Sequence, residues 1–411
     1  MKKIWHLYKD SSFLLKMTLG FLLGIGAGIL FGPSMEAVKP LGTILINLLN
    51  LIAVPVIFLT VVLAINQMNP RYLGRIGGKL LVYYGITTAA AVLIGVALAL
   101  WINPGAGLEL PNADVEKPET PGFSDVLLNI VPDNLFTAFS SGELMGILFL
   151  AVITGLALVK MRYSDKDELK KSGETLHQFF SAANDLFFLL LQGILLYAPV
   201  GIFAIGASTF GSQGWETFRS LFAFTGVFYL GVLLLWLLVY TSFLKLAKWH
   251  VRDFFASTKD AYITAFFTSS SIASLPVAME SAKKAGISDR IVNFSLPIGA
   301  VFNSDGGALR MGVSIVFAAN VTGLDLTVMD FITIVVIGTL LSIGTAGIPA
   351  AGLVTLAAVL TMFNLPLEIV ALIAGVDVLI GMAGTASNVF GDMVGSAFVD
   401  KKETDRTNPE S

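Results

Sequence analysis

The 411-residue sequence has no cysteine, which excludes disulfides and any thiol or Cys-based metal chemistry. Charge is scarce as well. Asp, Glu, Lys and Arg make up 13% of the residues, against about 25% in an ordinary soluble domain. The three histidines, His6, His177 and His250, all stand beside charged segments and read as surface residues. No basic stripe is present to follow a phosphate backbone, so nucleic acid is not an expected partner. No nucleophile–base pair, metal cluster or nucleotide motif points to an enzyme, and no cofactor is implied.

What remains is apolar. Hydrophobic residues make up 55% of the chain, and the mean hydropathy is +0.79. The charges are bunched, leaving runs long enough to cross a bilayer, which takes about 18 or more apolar residues. Such runs cover roughly 11–32, 41–66, 78–102, 126–160, 175–206 and 217–246. The fourth is interrupted at Ser140-Ser141-Gly142. The basic then apolar N-terminus is too long for a signal peptide and has no small-residue cleavage site, so it reads as a retained first helix. After residue 250 the runs become Gly- and Ser-interrupted, over 254–282, 290–318, 329–362 and 366–398. Helices broken near mid-membrane are where transporters expose backbone groups to solutes and ions.

Lys and Arg cluster at Lys2–Lys16, Arg71–Lys79, Lys160–Lys171, Lys245–Lys259, Lys283–Arg290 and Lys401–Arg406. The loops between hold only Lys39, Lys117 and Arg219. Under the positive-inside rule, six crossings return the chain to the cytoplasm near residue 250. Segment 254–282 then begins and ends inside, which makes it a re-entrant hairpin with its tip near Ser269-Ser270-Ser271. Segment 329–362 is flanked by loops without Lys or Arg, while the chain ends inside. It becomes a second hairpin, entered from outside, with its tip near Gly344–Pro349. The acidic, proline-rich loop 103–125 is extracellular and carries no assigned chemistry.

Ionisable groups at membrane depth cost on the order of 3 kcal/mol by insertion scales, so they mark function or pair with one another. Four fall in the last third of the chain: Asp305, Arg310, Asp377 and Asp392. Asn303-Ser304-Asp305-Gly306-Gly307 interrupts the seventh span, and its glycine pair is expected to unwind the helix. Freed carbonyls, one carboxylate and an Asn side chain suit a hard monovalent cation. Asn388 and Asp392 are four apart and share a helix face. The serine triplet 269–271 is either a plain turn or an anion site of free N–H groups. Tyr84, Thr87 and Thr88 share one face of the third span, for packing or for a cation.

These segments resemble the excitatory amino acid transporter family, the glutamate transporter homologues also called dicarboxylate/amino acid:cation symporters. TSSSIASLP (268–276) is similar to its serine-rich first hairpin tip, and NSDG (303–306) to its Asn-Met-Asp-Gly motif, with Ser304 in place of Met. SIGTAGIPAAG (342–352) is similar to the second tip, the stretch Asp377–Asp392 ending in NVFGD to the last span, and YYGITT (83–88) to the third-span cation motif. The matches run in order over nearly the whole chain.

The resemblance implies an all-α polytopic membrane protein of eight transmembrane helices and two re-entrant helical hairpins, assembled as a homotrimer in lipid. It implies a scaffold of helices 1–2 (1–77) and of an extracellular loop with helices 4–5 (104–206). The moving core would comprise helix 3 (78–103) and residues 207–398, followed by a cytoplasmic tail (399–411). Both termini would be cytoplasmic, in the cell membrane. Sodium would be the coupling ion, with a proton as the other choice. One sodium site would use the Gly299, Asn303 and Asn388 carbonyls and the Asp392 carboxylate. A second would use the Val301, Ser342, Ile343 and Thr345 carbonyls, and a third Tyr84, Thr87, Thr88, the Asn303 side chain and Asp305. The solute would lie among Ser270, Ser271, Gly307, Gly347, Ile348 and Gly352, and against Gly381, Gly384, Thr385 and Asn388.

Two departures bear on the solute. Where acidic amino acid carriers of the family place an Asp for the amine and an Arg for the side-chain carboxylate, this chain has Gly381 and Gly384. Arg310, the one Lys or Arg of the apolar core, stands where the family commonly has Tyr. Seven residues from Asn303, it is expected near the same helix face, with Gly384 making room for a guanidinium suited to bidentate carboxylate recognition. The expected function is sodium-coupled import of a small carboxylate-bearing solute, a dicarboxylate. The alternatives are a neutral amino acid carrier, in which Arg310 is structural, and an anion channel.

Overall fold

The computed structural model describes residues 13–66, 76–108, 131–141, 144–213, 215–342, 351–363 and 365–407. Among the described residues every regular element is a helix. The first half comprises α1 (Phe13–Phe31), α2 (Lys39–Asn66), α3 (Gly78–Ile102), α4 (Leu135–Ser141), α5 (Leu144–Arg162) and α6 (Asp167–Gln213). Next come α7 (Trp215–Leu234), a π-helical segment (Leu235–Tyr240) and α8 (Thr241–Leu246). The last third comprises α9 (Val251–Thr268), α10 (Ser271–Lys284), α11 (Asp289–Phe302) and α12 (Asp305–Thr322). It ends with α13 (Val328–Ser342), α14 (Ala351–Met362), α15 (Glu368–Ala374) and α16 (Asp377–Thr407).

Polarity is distributed as a bilayer demands. Large apolar side chains face outward, among them Leu30 (80% exposed) and Phe222 (73%), while Asp305, Asp392, Arg310 and Asn303 are buried. Water would drive the reverse arrangement. Leu19–Leu45, Gly78–Ile102 and Trp215–Leu246 are each long and apolar enough to cross a membrane. Two further runs qualify as bent pairs, one at a 45° bend within α6 and one at 73° between α15 and α16. The α6 bend falls between Ile194 and Leu196, at the carbonyl that Pro199 leaves without its helical donor. The all-helical, polytopic architecture expected from the sequence is the one observed.

Several boundaries differ from expectation. The fifth run extends to 167–213 rather than 175–206. Its first turns, DELKKSGET, are polar and invisible to hydropathy, yet Asp167 and Glu168 in the first turn favour a helix start. The fourth run divides into α4 and α5 where the serines suggested.

Two sets of helices pack extensively within themselves. Helices α1, α2 and α5 pack round α6, while α12 lies on α3 and α16 is flanked by α9, α11 and α12. Helices α9 and α10 fold back on each other through Ser269, in the left-handed region at φ 48°, and the extended Ser270. This hairpin turns where it was expected to. Helix α13 lies on α3 and α12, and α14 on α2 and α12; the tip between them, 343–350, falls outside the described residues.

The α3–α12 crossing is close because both helices present glycine. A Cβ on Gly95 would stand 2.5 Å from the Leu309 carbonyl oxygen, and one on Gly312 2.7 Å from that of Val92. Gly95→Ala is therefore expected to cost roughly 1–3 kcal/mol through overpacking. Gly85→Ala, on the same helix with nothing within 4 Å of its Cβ position, is expected to stabilise slightly. Melting temperatures of the two variants in detergent check this.

Candidate functional site

The site begins at the break between α11 and α12. Asn303 turns extended (φ −104°, ψ 122°) and Ser304 follows at φ −137°. The helical ladder is interrupted there, and the Gly306 amide is redirected from α11 to Asn388 Oδ1 at 2.7 Å. The break lies within the expected segment 303–307, at its first two residues, while Gly306 and Gly307 are both helical and do not unwind the chain. Asp305 opens α12, where a carboxylate suits the helix dipole. Gly306 is needed for proximity rather than for unwinding: its Cβ would come within 2.4 Å of Gly384 Cα.

Asp305 is fully buried and takes hydroxyl donors from two other helices. Thr87 and Thr88 of α3 donate to Oδ1 at 3.1 and 2.9 Å. Tyr240, at the end of the π segment, donates to Oδ2 at 2.7 Å. The second carboxylate, Asp392, accepts from Asn303 Nδ2 at 3.0 Å. Gly299 leaves the space between Asp392 and Tyr84 open, since its Cβ would stand 2.5 Å from both Asp392 Oδ1 and the Tyr84 hydroxyl. The Tyr84 hydroxyl and Asn303 Oδ1 are buried and make no hydrogen bond. Two carboxylates with two orphaned oxygens beside them are donors of the type that could hold a hard cation. The structure thus brings together Tyr84, Thr87, Thr88, Gly299, Asn303, Asp305, Asn388 and Asp392. Val301 lies in the last turn of α11 and Ser342 ends α13. Ile343 and Thr345 fall outside the described residues, as do Gly347 and Ile348.

On the solute side, Ser270 caps α10, its hydroxyl accepting from the Ala273 amide at 3.2 Å. Ser271 follows as a buried first residue of that helix. Asn388 Nδ2 lies 3.4 Å from Ser304 Oγ, which in turn stands 2.5 Å from the Cβ position of Gly307. Thr385 is half-buried. Gly381 faces open space, with nothing within 4 Å of its Cβ position.

Arg310 is placed differently from expectation. The break puts Asn303 outside α12, so the two do not share one continuous helix face. Gly384 does not open toward the guanidinium, its nearest neighbours being the Phe228 ring at 3.5 Å and the Gly306 backbone at 3.7 Å. Arg310 instead pairs through Nη1 with Asp377 at the start of α16, both buried. It also lies against α14, where a Gly352 Cβ would overlap the guanidinium. Its Nη2 is buried without a partner, so one edge of the fork is uncommitted.

Sequence reasoning missed Tyr240, Trp236 and Tyr83. Tyr83 donates to the Gly391 carbonyl at 2.9 Å, and Trp236 Nε1 to Ser387 Oγ at 3.0 Å. The run LLLWLLVYTSF carries no break signal, so nothing in its hydropathy marks which side chain turns inward.

The sequence matches the family described as sodium:dicarboxylate symporter over residues 13–402. It is 31% identical over 406 residues to a C4-dicarboxylate transport protein of Deinococcus radiodurans, covering 95% of this chain and 89% of that protein. It is 32% identical over 398 residues to a C4-dicarboxylate transport protein of Citrifermentans bemidjiense, covering 93% and 88%. It is 30% identical over 401 residues to a proton/sodium-glutamate symport protein of Bacillus caldotenax, covering 94% and 93%. These relatives are transporters rather than enzymes, and this chain is a membrane transporter: it belongs to the sodium:dicarboxylate symporter family.

Proposed function

We propose that the chain is a symporter that imports a small dicarboxylate, such as a four-carbon diacid, with sodium as the coupling ion. One observation carries this reading. Arg310 is a buried guanidinium with a free edge, four residues beyond Gly306, whose amide holds Asn388. Four residues of helix span about 6 Å along its axis. The Asn388 end and the Arg310 end are thus spaced for the two carboxylates of one short solute. Two of the relatives described above are named as C4-dicarboxylate transport proteins, which supports the same class.

Sodium is favoured by the orphaned Asn303 and Tyr84 oxygens beside two carboxylates. A homotrimer with an elevator-like core of helix 3 and residues 207–398 follows from the family resemblance. The Lys/Arg distribution favours both termini in the cytoplasm and a cell-membrane location.

A neutral amino acid carrier is the second reading, and the Arg310–Asp377 pair favours it, because a neutralised guanidinium has less call for a second anion. Proteoliposomes under an inward sodium gradient separate the two. The dicarboxylate reading expects concentrative succinate uptake and little serine or alanine uptake. Serine uptake without succinate uptake would establish the second reading. Equal succinate uptake in choline under a proton gradient would replace sodium with the proton.

A further inference from the structure

The π segment Leu235–Tyr240 is the one departure from α geometry in the long helical run from Trp215 to Leu246. Such bulges cluster at functional sites. An added residue rotates everything after it by about 100°, and here the residue that ends the segment is Tyr240, fully buried. Its hydroxyl donates to Asp305 Oδ2 at 2.7 Å and lies 3.2 Å from the Ser387 carbonyl oxygen. With one proton to give, it serves the closer, charged acceptor. The oxygen occupies space that Gly391 leaves empty, 2.6 Å from that residue's Cβ position. The phenol therefore stands between the α11–α12 break and the stretch of α16 that carries Asn388 and Asp392.

Resting on the sodium-coupled reading, we propose that Tyr240 is a positioning residue of the Asp305 cation site. The π segment exists to deliver its hydroxyl there. Thr87 and Thr88 fix one carboxylate oxygen, and Tyr240 fixes the other. The carboxylate is thereby held in one orientation, with both of its oxygens anchored by hydroxyls. Trp236 also reaches α16, through Ser387 Oγ, but touches neither carboxylate.

The test compares Tyr240→Phe with Trp236→Phe in purified full-length protein. Sodium-induced thermal stabilisation is measured without solute, against choline, and sodium dependence of succinate uptake is measured in proteoliposomes. Tyr240→Phe is expected to raise the sodium half-saturation about tenfold or more in both readouts. Its melting temperature in choline stays near wild type, and its succinate half-saturation at saturating sodium hardly changes. Trp236→Phe is expected to keep the wild-type sodium dependence. A wild-type sodium dependence in Tyr240→Phe overturns the proposal, as does an equal loss in both variants, which would mean general packing. A wild type that sodium neither stabilises nor drives overturns the coupling reading, and this proposal with it.

Discussion

Asp305→Asn is expected to raise the sodium half-saturation of uptake at least about a hundredfold and to bring gradient-driven succinate uptake to background. The carboxylate is fully buried and its two oxygens face three hydroxyls, from Thr87, Thr88 and Tyr240. None of those partners carries charge, so the negative charge is left for a cation. Removing one member of a buried charge pair costs on the order of 3–5 kcal/mol, which is roughly two or more powers of ten in an equilibrium constant. Asparagine keeps the shape, so the melting temperature in choline should stay near wild type while the sodium-induced rise disappears. A variant that binds sodium as tightly as wild type would show that Asp305 serves helix packing alone.

Arg310→Ala is expected to weaken dicarboxylate binding by roughly 30-fold or more, since a buried charge-assisted contact is worth on the order of 2–5 kcal/mol. Asp377 complicates the single variant, because losing Arg310 leaves its carboxylate buried and unpaired. The double variant Arg310→Ala/Asp377→Ala removes both charges and is expected to recover much of the lost stability. Its succinate affinity is expected to stay as weak as that of the single variant. That split separates binding from structure. If succinate affinity returns together with stability, the guanidinium is structural and the neutral amino acid reading gains the site.

The parts of this molecule legible in the sequence are those written in composition. Bunched Lys and Arg, long apolar runs and three consecutive serines located the first hairpin and its turn at Ser269–Ser270. Stranded charge identified Asp305, Arg310, Asp377 and Asp392, and all four are buried. What escaped was geometry without a compositional signature. The interruption at 303–307 was legible, but the glycine pair does not cause it: the helix breaks at Asn303 and Ser304, and tertiary contact with Gly384 explains Gly306. The pairing of Arg310 with Asp377 joins residues 67 apart in the chain, and no local pattern encodes it. The inward turn of Tyr240 depends on a π segment inside a uniformly apolar run. The start of α6 was missed because its first turns are polar.

Two buried carboxylate sites and the solute site are expected to be occupied together. Asn303 and Asn388 make that link physical. Asn303 holds Asp392 and opens the break that precedes Asp305, while Asn388 holds the Gly306 amide one residue beyond Asp305. Coupled sites must respond reciprocally, each ligand raising the other's affinity by the same factor. Calorimetric titration of succinate into purified protein at fixed pH, in sodium, potassium and choline, measures this directly. Succinate binding is expected to tighten steeply with sodium concentration, with sodium affinity rising equally when succinate is present. The same succinate affinity in all three salts would contradict this coupling.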